Sequence, residues 1–219
     1  MFPIGRKTWA RLVTDGAAAV EEGWAADGVF SGAVGPDYRC GDPSSILFIG
    51  KSLGPAGPHV RINYHQATST ANSLSWMLER ERRHPGHRAF WKLVDRFDRS
   101  RRSLAWTNVC KIEPSSAETP GKWQRREVAG PCRAALAEEL AYLKPRIALF
   151  VTGHSFEDEV VAVLSGLSYS PAPKVRTSEE FQCFRHSAGR YAVLTRHPTF
   201  AAAEWFEEAV DICRRLKAR

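Results

Sequence analysis

The chain has no apolar run approaching the roughly eighteen residues that a membrane-spanning helix needs. Its first residues, Met1-Phe2-Pro3-Ile4-Gly5-Arg6-Lys7, lack the apolar core of a secretory signal. A soluble cytoplasmic protein with no membrane partner is the expectation. Cysteine is sparse and poorly spaced for chemistry. Cys40, Cys110, Cys132, Cys183 and Cys213 form no Cys-x-x-Cys pair, and no histidines recur at zinc spacing. Neither a disulfide framework nor a metal site is therefore expected, and buried free thiols are. Internal repeats and low-complexity blocks are also missing. Acidic residues run short of basic ones, 24 against 31, which leaves a net charge of +7 and a pI near 9.4. Such a balance favours polyanions, nucleic acid among them, although a basic surface also serves solubility.

What is present is enough apolar residue, 43% of 219 positions, for one sizeable core. We expect a single domain over residues 1–219, with a helical cap and loop over 1–43 and the core over 44–219. That core is organised around Ser45-Ile46-Leu47-Phe48-Ile49-Gly50-Lys51-Ser52-Leu53-Gly54-Pro55-Ala56-Gly57-Pro58. Four apolar residues without alternation suit a strand covered on both faces. The glycines after it let backbone N–H groups approach a ligand closely, though an ordinary strand-to-loop turn reads the same way.

An amphipathic segment from Thr8 to about Trp24 carries Trp9, Leu12, Val13 and Val20, and Gly28 to Pro43 has the composition of a loop. Helices are expected over Ala71 to Arg83 and over His87 to Arg99, the second with Phe90, Leu93, Val94 and Phe97 at helical spacing. Ser103 to Lys111 reads as a second strand feeding a long polar loop that ends at Gly121. A helix follows from Pro131 to Leu143, with Pro131 in its first turn. Ile147 to Val151 is a third buried strand, then Gly153-His154 and a short helix to Leu164. Gly166 to Ser178 is a proline-rich loop. Tyr191 to Thr195 is a fourth strand, and a last helix runs from Phe200 to Leu216. Alternating strands and helices imply a three-layer α/β/α sandwich with a mainly parallel four-stranded sheet. In such sheets ligands collect at the carboxyl ends of strands, where Gly50 to Gly57, Asn108 to Glu113, Gly153-His154 and His197-Pro198 all fall.

Four blocks in this order resemble the uracil-DNA glycosylase superfamily, particularly its branches with a Gly-Glu-x-Pro-Gly first motif. Gly50-Lys51-Ser52-Leu53-Gly54 is similar to that motif, and Thr107-Asn108-Val109-Cys110-Lys111-Ile112-Glu113-Pro114 to the Thr-Asn-x-x-Lys-x-x-Pro strand. Cys132 to Gly153 resembles the Leu-Lys-Pro block, and His197-Pro198-Thr199 the closing His-Pro-Ser/Ala motif. The resemblance implies a DNA glycosylase that holds a flipped uracil or other deaminated base and hydrolyses its N-glycosidic bond. His197 would then stabilise the departing base, and Asn108 would present one donor and one acceptor to the pyrimidine edge. Tyr64 is the candidate stacking ring, and Gly50, Lys51 and Gly54 would complete the base pocket. Phe200 stands where the family inserts an apolar wedge, and Lys51, Lys111 and Arg196 would line the strand ends for phosphates.

The chain departs from the family at Lys51-Ser52-Leu53, where many members carry a carboxylate or asparagine that positions water. Ser52 is a poor general base but remains able to hold a water, with Glu113 or Asp158 as sources of charge nearby. Of the cysteines that bind an iron-sulfur cluster in some branches, only Cys132 matches, so no cofactor is expected. The expected partner is DNA, double- or single-stranded, and the expected state a monomer. Two rival readings follow: a protein that binds nucleic acid or damaged bases without cleavage, and an enzyme acting on a free nucleoside-like molecule.

Overall fold

Ile46–Gly50, Ile147–Phe150 and Tyr191–Thr195 are buried at every position, the condition of strands covered on both faces. The computed structural model describes residues 5–21, 25–29, 32–51, 88–100, 102–114, 122–172, 180–198 and 201–219. In chain order these hold α1 (Arg6–Glu21), β1 (Ala25–Val29), β2 (Ala33–Val34), β3 (Ile46–Gly50), α2 (Arg88–Phe97), β4 (Leu104–Asn108) and β5 (Ile112–Pro114). Next come α3 (Lys122–Leu143), β6 (Ile147–Phe150), a single 3-10 turn (His154–Phe156) and α4 (Glu157–Gly166). The chain ends with β7 (Tyr169–Pro171), β8 (Phe181–His186), β9 (Tyr191–Thr195) and α5 (Ala203–Lys217).

The main sheet has the order β2-β4-β3-β6-β9-β8-β7. Its central block, β4-β3-β6-β9, is parallel throughout, whereas β2, β8 and β7 run antiparallel to their neighbours. Because side chains alternate along a strand, each parallel strand feeds two cores. Leu47, Ile49, Ala148 and Phe150 face Trp9 and Leu12 of α1, Leu136 and Leu140 of α3 and Val160 of α4. Ile46, Phe48, Ile147 and Leu149 face Leu93 and Val94 of α2 and Trp205 and Ile212 of α5. Helices thus cover both faces, giving three layers. Among the described residues no helix is long and apolar enough to cross a membrane.

The sheet is larger than the four strands read from the sequence. Its parallel block matches them, but β2 on one side and β8 with β7 on the other extend it through antiparallel pairings, and β1 with β5 forms a small second sheet. Stretches taken as loops hold β2 and β7, each three residues or fewer, too short for a period to register. In β8 the alternation breaks at the adjacent buried pair Cys183 and Phe184. Helix α3 starts at Lys122, so Pro131 lies inside it rather than in its first turn. A proline there removes one backbone hydrogen bond, and the buried stripe Cys132, Ala135, Leu136, Leu140 and Leu143 offsets that cost. Four cysteines are buried and free, whereas Cys40 is exposed. The helix expected over Ala71 to Arg83 lies outside the described residues.

The step from α2 into β4 is closed by one carboxylate. Asp98 Oδ1 accepts the Ser100 N–H at 2.9 Å and its hydroxyl at 2.5 Å, while Oδ2 accepts the Ser103 N–H at 2.8 Å and its hydroxyl at 2.7 Å. Burial works to raise the Asp98 pKa, but the Ser100 and Ser103 hydrogen bonds outweigh it and bring it to about 2. A depressed carboxylate contributes stability that is complete above its unfolded pKa and is lost as pH falls through the folded value. Asp98→Ala is expected to cost about 1–2 kcal/mol at pH 7 in chemical denaturation. The difference from wild type should shrink as pH falls from about 4 towards 2.

Candidate nucleic-acid base site

Strands β3 and β4 pair in parallel with Gly50 directly opposite Asn108. Beyond the strands the two chains stay laced together: Val109 N–H donates to Gly50 O at 2.9 Å and Cys110 N–H to Lys51 O at 2.8 Å. Glycine is required at this position for a steric reason. A Cβ on Gly50 would lie 2.5 Å from Asn108 Oδ1, well inside contact distance. The missing side chain makes the space that the Asn108 amide occupies.

Asn108 is 1% exposed, and both its Oδ1 and Nδ2 are buried with no hydrogen-bond partner among the described residues. An orphaned amide is costly in a fold, because buried polar groups are almost always paired. Here the carboxamide offers one acceptor and a pair of N–H donors at the carboxyl end of a parallel strand. Trp106, two residues earlier on the same face, packs its indole on Phe90 and Trp91 at centroid distances of 5.7 and 5.9 Å. That aromatic cluster holds the β4 side of the site rigid.

His197 follows β9 directly and is half-buried. Gly153, at φ 71°, donates its N–H to Thr195 O at 3.0 Å, and a Cβ there would come 3.7 Å from the His197 backbone nitrogen. Trp205 Nε1 donates to Thr195 Oγ1 at 3.1 Å, which fixes α5 against the strand end. Asn108 and His197 therefore sit on the same edge of the sheet, with β3 and β6 between their strands. Three inter-strand steps make about 14 Å.

Lys111 requires a correction. Expected at the DNA-facing lining, it is instead 0% exposed. Its Nζ donates to Glu139 Oε2 and to Thr107 Oγ1, each at 2.5 Å, and Thr107 Oγ1 donates to the same Glu139 oxygen at 2.7 Å. Glu139 Oε1 accepts the Gly32 N–H at 3.3 Å. Burying a charge is tolerable only with an opposite charge and hydrogen bonds of this kind, so Lys111 braces β4 from below and does not meet phosphate. Sequence reasoning missed Glu139. The signal was its place beside Leu136 and Leu140 on the buried stripe of α3, where a carboxylate demands a cation.

Of the other expected residues, Lys51 is half-buried at the end of β3. Arg196 is partly exposed, with Nε 3.1 Å from Glu180 Oε2, so its charge is shared rather than isolated. Glu113 lies in β5, and Asp158 is exposed in the first turn of α4. Ser52, Gly54, Tyr64 and Phe200 lie outside the described residues. Among the described residues no cluster of three metal-binding side chains occurs. Cys110 and Cys132 are free thiols joined by a hydrogen bond, and that hydrogen bond together with burial pushes the Cys132 thiol well above its ordinary range.

A G/U mismatch-specific uracil DNA glycosylase of Schizosaccharomyces pombe is 29% identical to this chain over 131 residues. The match takes in 60% of the chain and 38% of that protein, so the chain spans well under half the relative's length. No family model matches. The likeness points to the uracil-DNA glycosylase superfamily and says nothing of the branch.

Two substitutions test the geometry. Gly50→Ala is expected to push the Asn108 amide aside, moving its side-chain resonance in a ¹⁵N spectrum and costing about 1–3 kcal/mol of stability. Lys111→Met alone should cost about 3–5 kcal/mol by leaving Glu139 buried and unpaired. Adding Glu139→Gln, which keeps an acceptor for Thr107 and Gly32, should return a large part of that loss in denaturation curves.

Proposed function

We propose that this protein is a DNA glycosylase that takes a flipped uracil or other deaminated base and hydrolyses its N-glycosidic bond. The observation that carries the reading is the Asn108 amide, buried and without a hydrogen-bond partner among the described residues, at the carboxyl edge of the sheet that also ends in His197. The likeness to a mismatch-specific uracil DNA glycosylase supports it.

In this reading the base enters between the β4 and β9 ends, and Asn108 donates to and accepts from its pyrimidine edge. As the bond from the sugar C1′ to the base nitrogen breaks, its electron pair leaves with the base. Positive charge grows on the sugar and negative charge on the base oxygens. An N–H of His197 donates to that oxygen, an interaction stronger in the transition state than before it. A water held by Ser52 adds to C1′, and the proton it gives up ends on the departed base anion, which leaves as the neutral base. Lys51 and Arg196 attract the strand, Gly50 and Gly54 admit the base closely, Tyr64 stacks on it, and Phe200 fills the gap left in the duplex. DNA is the partner, and the protein acts as a monomer in the cytoplasm.

A second reading has a specific observation behind it: Lys51-Ser52-Leu53 supplies no carboxylate to activate water. On that reading the protein holds damaged or single-stranded nucleic acid without cleaving it.

Single-turnover cleavage of duplexes and single strands carrying uracil, hypoxanthine or mismatched thymine distinguishes the two. Cleavage that falls about 100- to 1000-fold in His197→Ala, and at least about tenfold in Asn108→Ala, is the expected result. Salt-sensitive binding with no cleavage by wild type would establish the second reading. Full activity in both variants would refute the first.

A further inference from the structure

The amino ends of the parallel strands, at the pole opposite Asn108, carry a second concavity. A cavity of about 450 Å³ opens between residues 41–43, 144–146 and 188–190, the segments that lead into β3, β6 and β9. Three cations line it: Lys144, Arg146 and Arg190. Among the described residues none of them forms a salt bridge. Both guanidinium groups are instead pinned by neutral groups. Arg146 donates from Nη1 to Gly189 O and from Nη2 to Leu216 O, and it lies over the Tyr191 ring at 5.5 Å. Arg190 lies over the Tyr169 ring at 6.0 Å, with Nη2 at 3.0 and 3.2 Å from the two His186 ring nitrogens. Neutral partners orient these charges without cancelling them.

One carboxylate, Asp42, shares the wall. Its Oδ1 already accepts the Ser44 N–H and hydroxyl, at 2.6 and 2.5 Å, and it faces Arg39 and Lys217 as well. Lys144 is held at φ 44°, a left-handed conformation that a lysine rarely adopts.

Lys144 and Arg190 also line an adjoining cavity of about 160 Å³, whose walls include Leu140, Leu167, Tyr169 and His186. This smaller space is apolar and aromatic where the larger is basic. Tyr169 is 6% exposed, and its hydroxyl is buried with no hydrogen-bond partner among the described residues. An orphaned hydroxyl in a cavity wall is a second sign of a ligand site.

We propose that this pole binds a free nucleotide. Its phosphoryl group lies among Lys144, Arg146 and Arg190, and its heterocycle lies in the adjoining pocket against Leu140, Leu167 and Tyr169. Each Nη of Arg146 keeps a second N–H for phosphate oxygens, the charge-assisted contact that guanidinium makes well. A flat ring suits the aromatic wall, and the joined volume falls in the range of small-molecule sites. The site shares no residue with the glycosylase pocket and stands whether or not that pocket cleaves DNA.

Isothermal titration of the full chain tests the proposal, with adenosine monophosphate, inorganic phosphate, adenosine and a 5′-phosphorylated single strand as probes. Adenosine monophosphate should bind wild type at least about tenfold tighter than phosphate or adenosine alone. Lys144→Asn, which tolerates the left-handed backbone, and Arg190→Gln should each weaken it at least about tenfold. Asn108→Ala should leave it unchanged. No binding at millimolar nucleotide, equal affinity in wild type and Lys144→Asn, or loss in Asn108→Ala would overturn the proposal. So would a phosphorylated strand that displaces adenosine monophosphate at lower concentration than the nucleotide itself binds. Lys144 is exposed, so its variant remains decisive even if Arg190→Gln fails to fold.

Discussion

The in-register pairing of β3 with β4 is the constraint on which the site depends. Parallel strands hold register through evenly spaced hydrogen bonds, and this register sets Gly50 opposite Asn108. A slip of one residue would turn Asn108 to the opposite face and put a side chain where the amide now lies. The same pairing continues through β6 to β9, so one ladder fixes the spacing between Asn108 and His197.

Below that edge, the Lys111, Glu139 and Thr107 network holds β4 and α3 in a single arrangement. A buried ion pair adds little net stability, because desolvation costs several kcal/mol per ion and attraction only returns it. What it provides is definition, since any other packing strands a charge. Asn108 follows Thr107 directly, so the network fixes the backbone from which the amide projects. Trp106 achieves the same on the other face by packing on Phe90 and Trp91. Rigid support on both faces holds in place a carboxamide that has no hydrogen-bond partner among the described residues.

The parallel block was legible because strands buried on both faces read as unbroken apolar runs, as in Ile46 to Ile49 and Ile147 to Phe150. The edges were not. In β7 only Tyr169 is buried, and β8 breaks its alternation, so neither leaves a period to read. The position of Asn108 was legible, as a polar residue closing an apolar strand. Lys111 was misread because its sequence neighbours say nothing of Glu139, 28 residues away on another element. Whether a cation faces phosphate or a buried carboxylate is decided by tertiary packing. The basic pole was hidden for the same reason: Lys144, Arg146 and Arg190 look like scattered surface charges until β6 and β9 pair side by side.

The central claim is that the Asn108 carboxamide is kept free for a pyrimidine edge. A titration of ¹⁵N-labelled protein with free uracil, following side-chain amide resonances, tests it most directly. The account predicts that the Asn108 Nδ2 resonances move with saturation while those assigned around Arg190 do not. An Asn108 signal that stays fixed at saturating uracil, with the backbone of His197 equally unmoved, would contradict it.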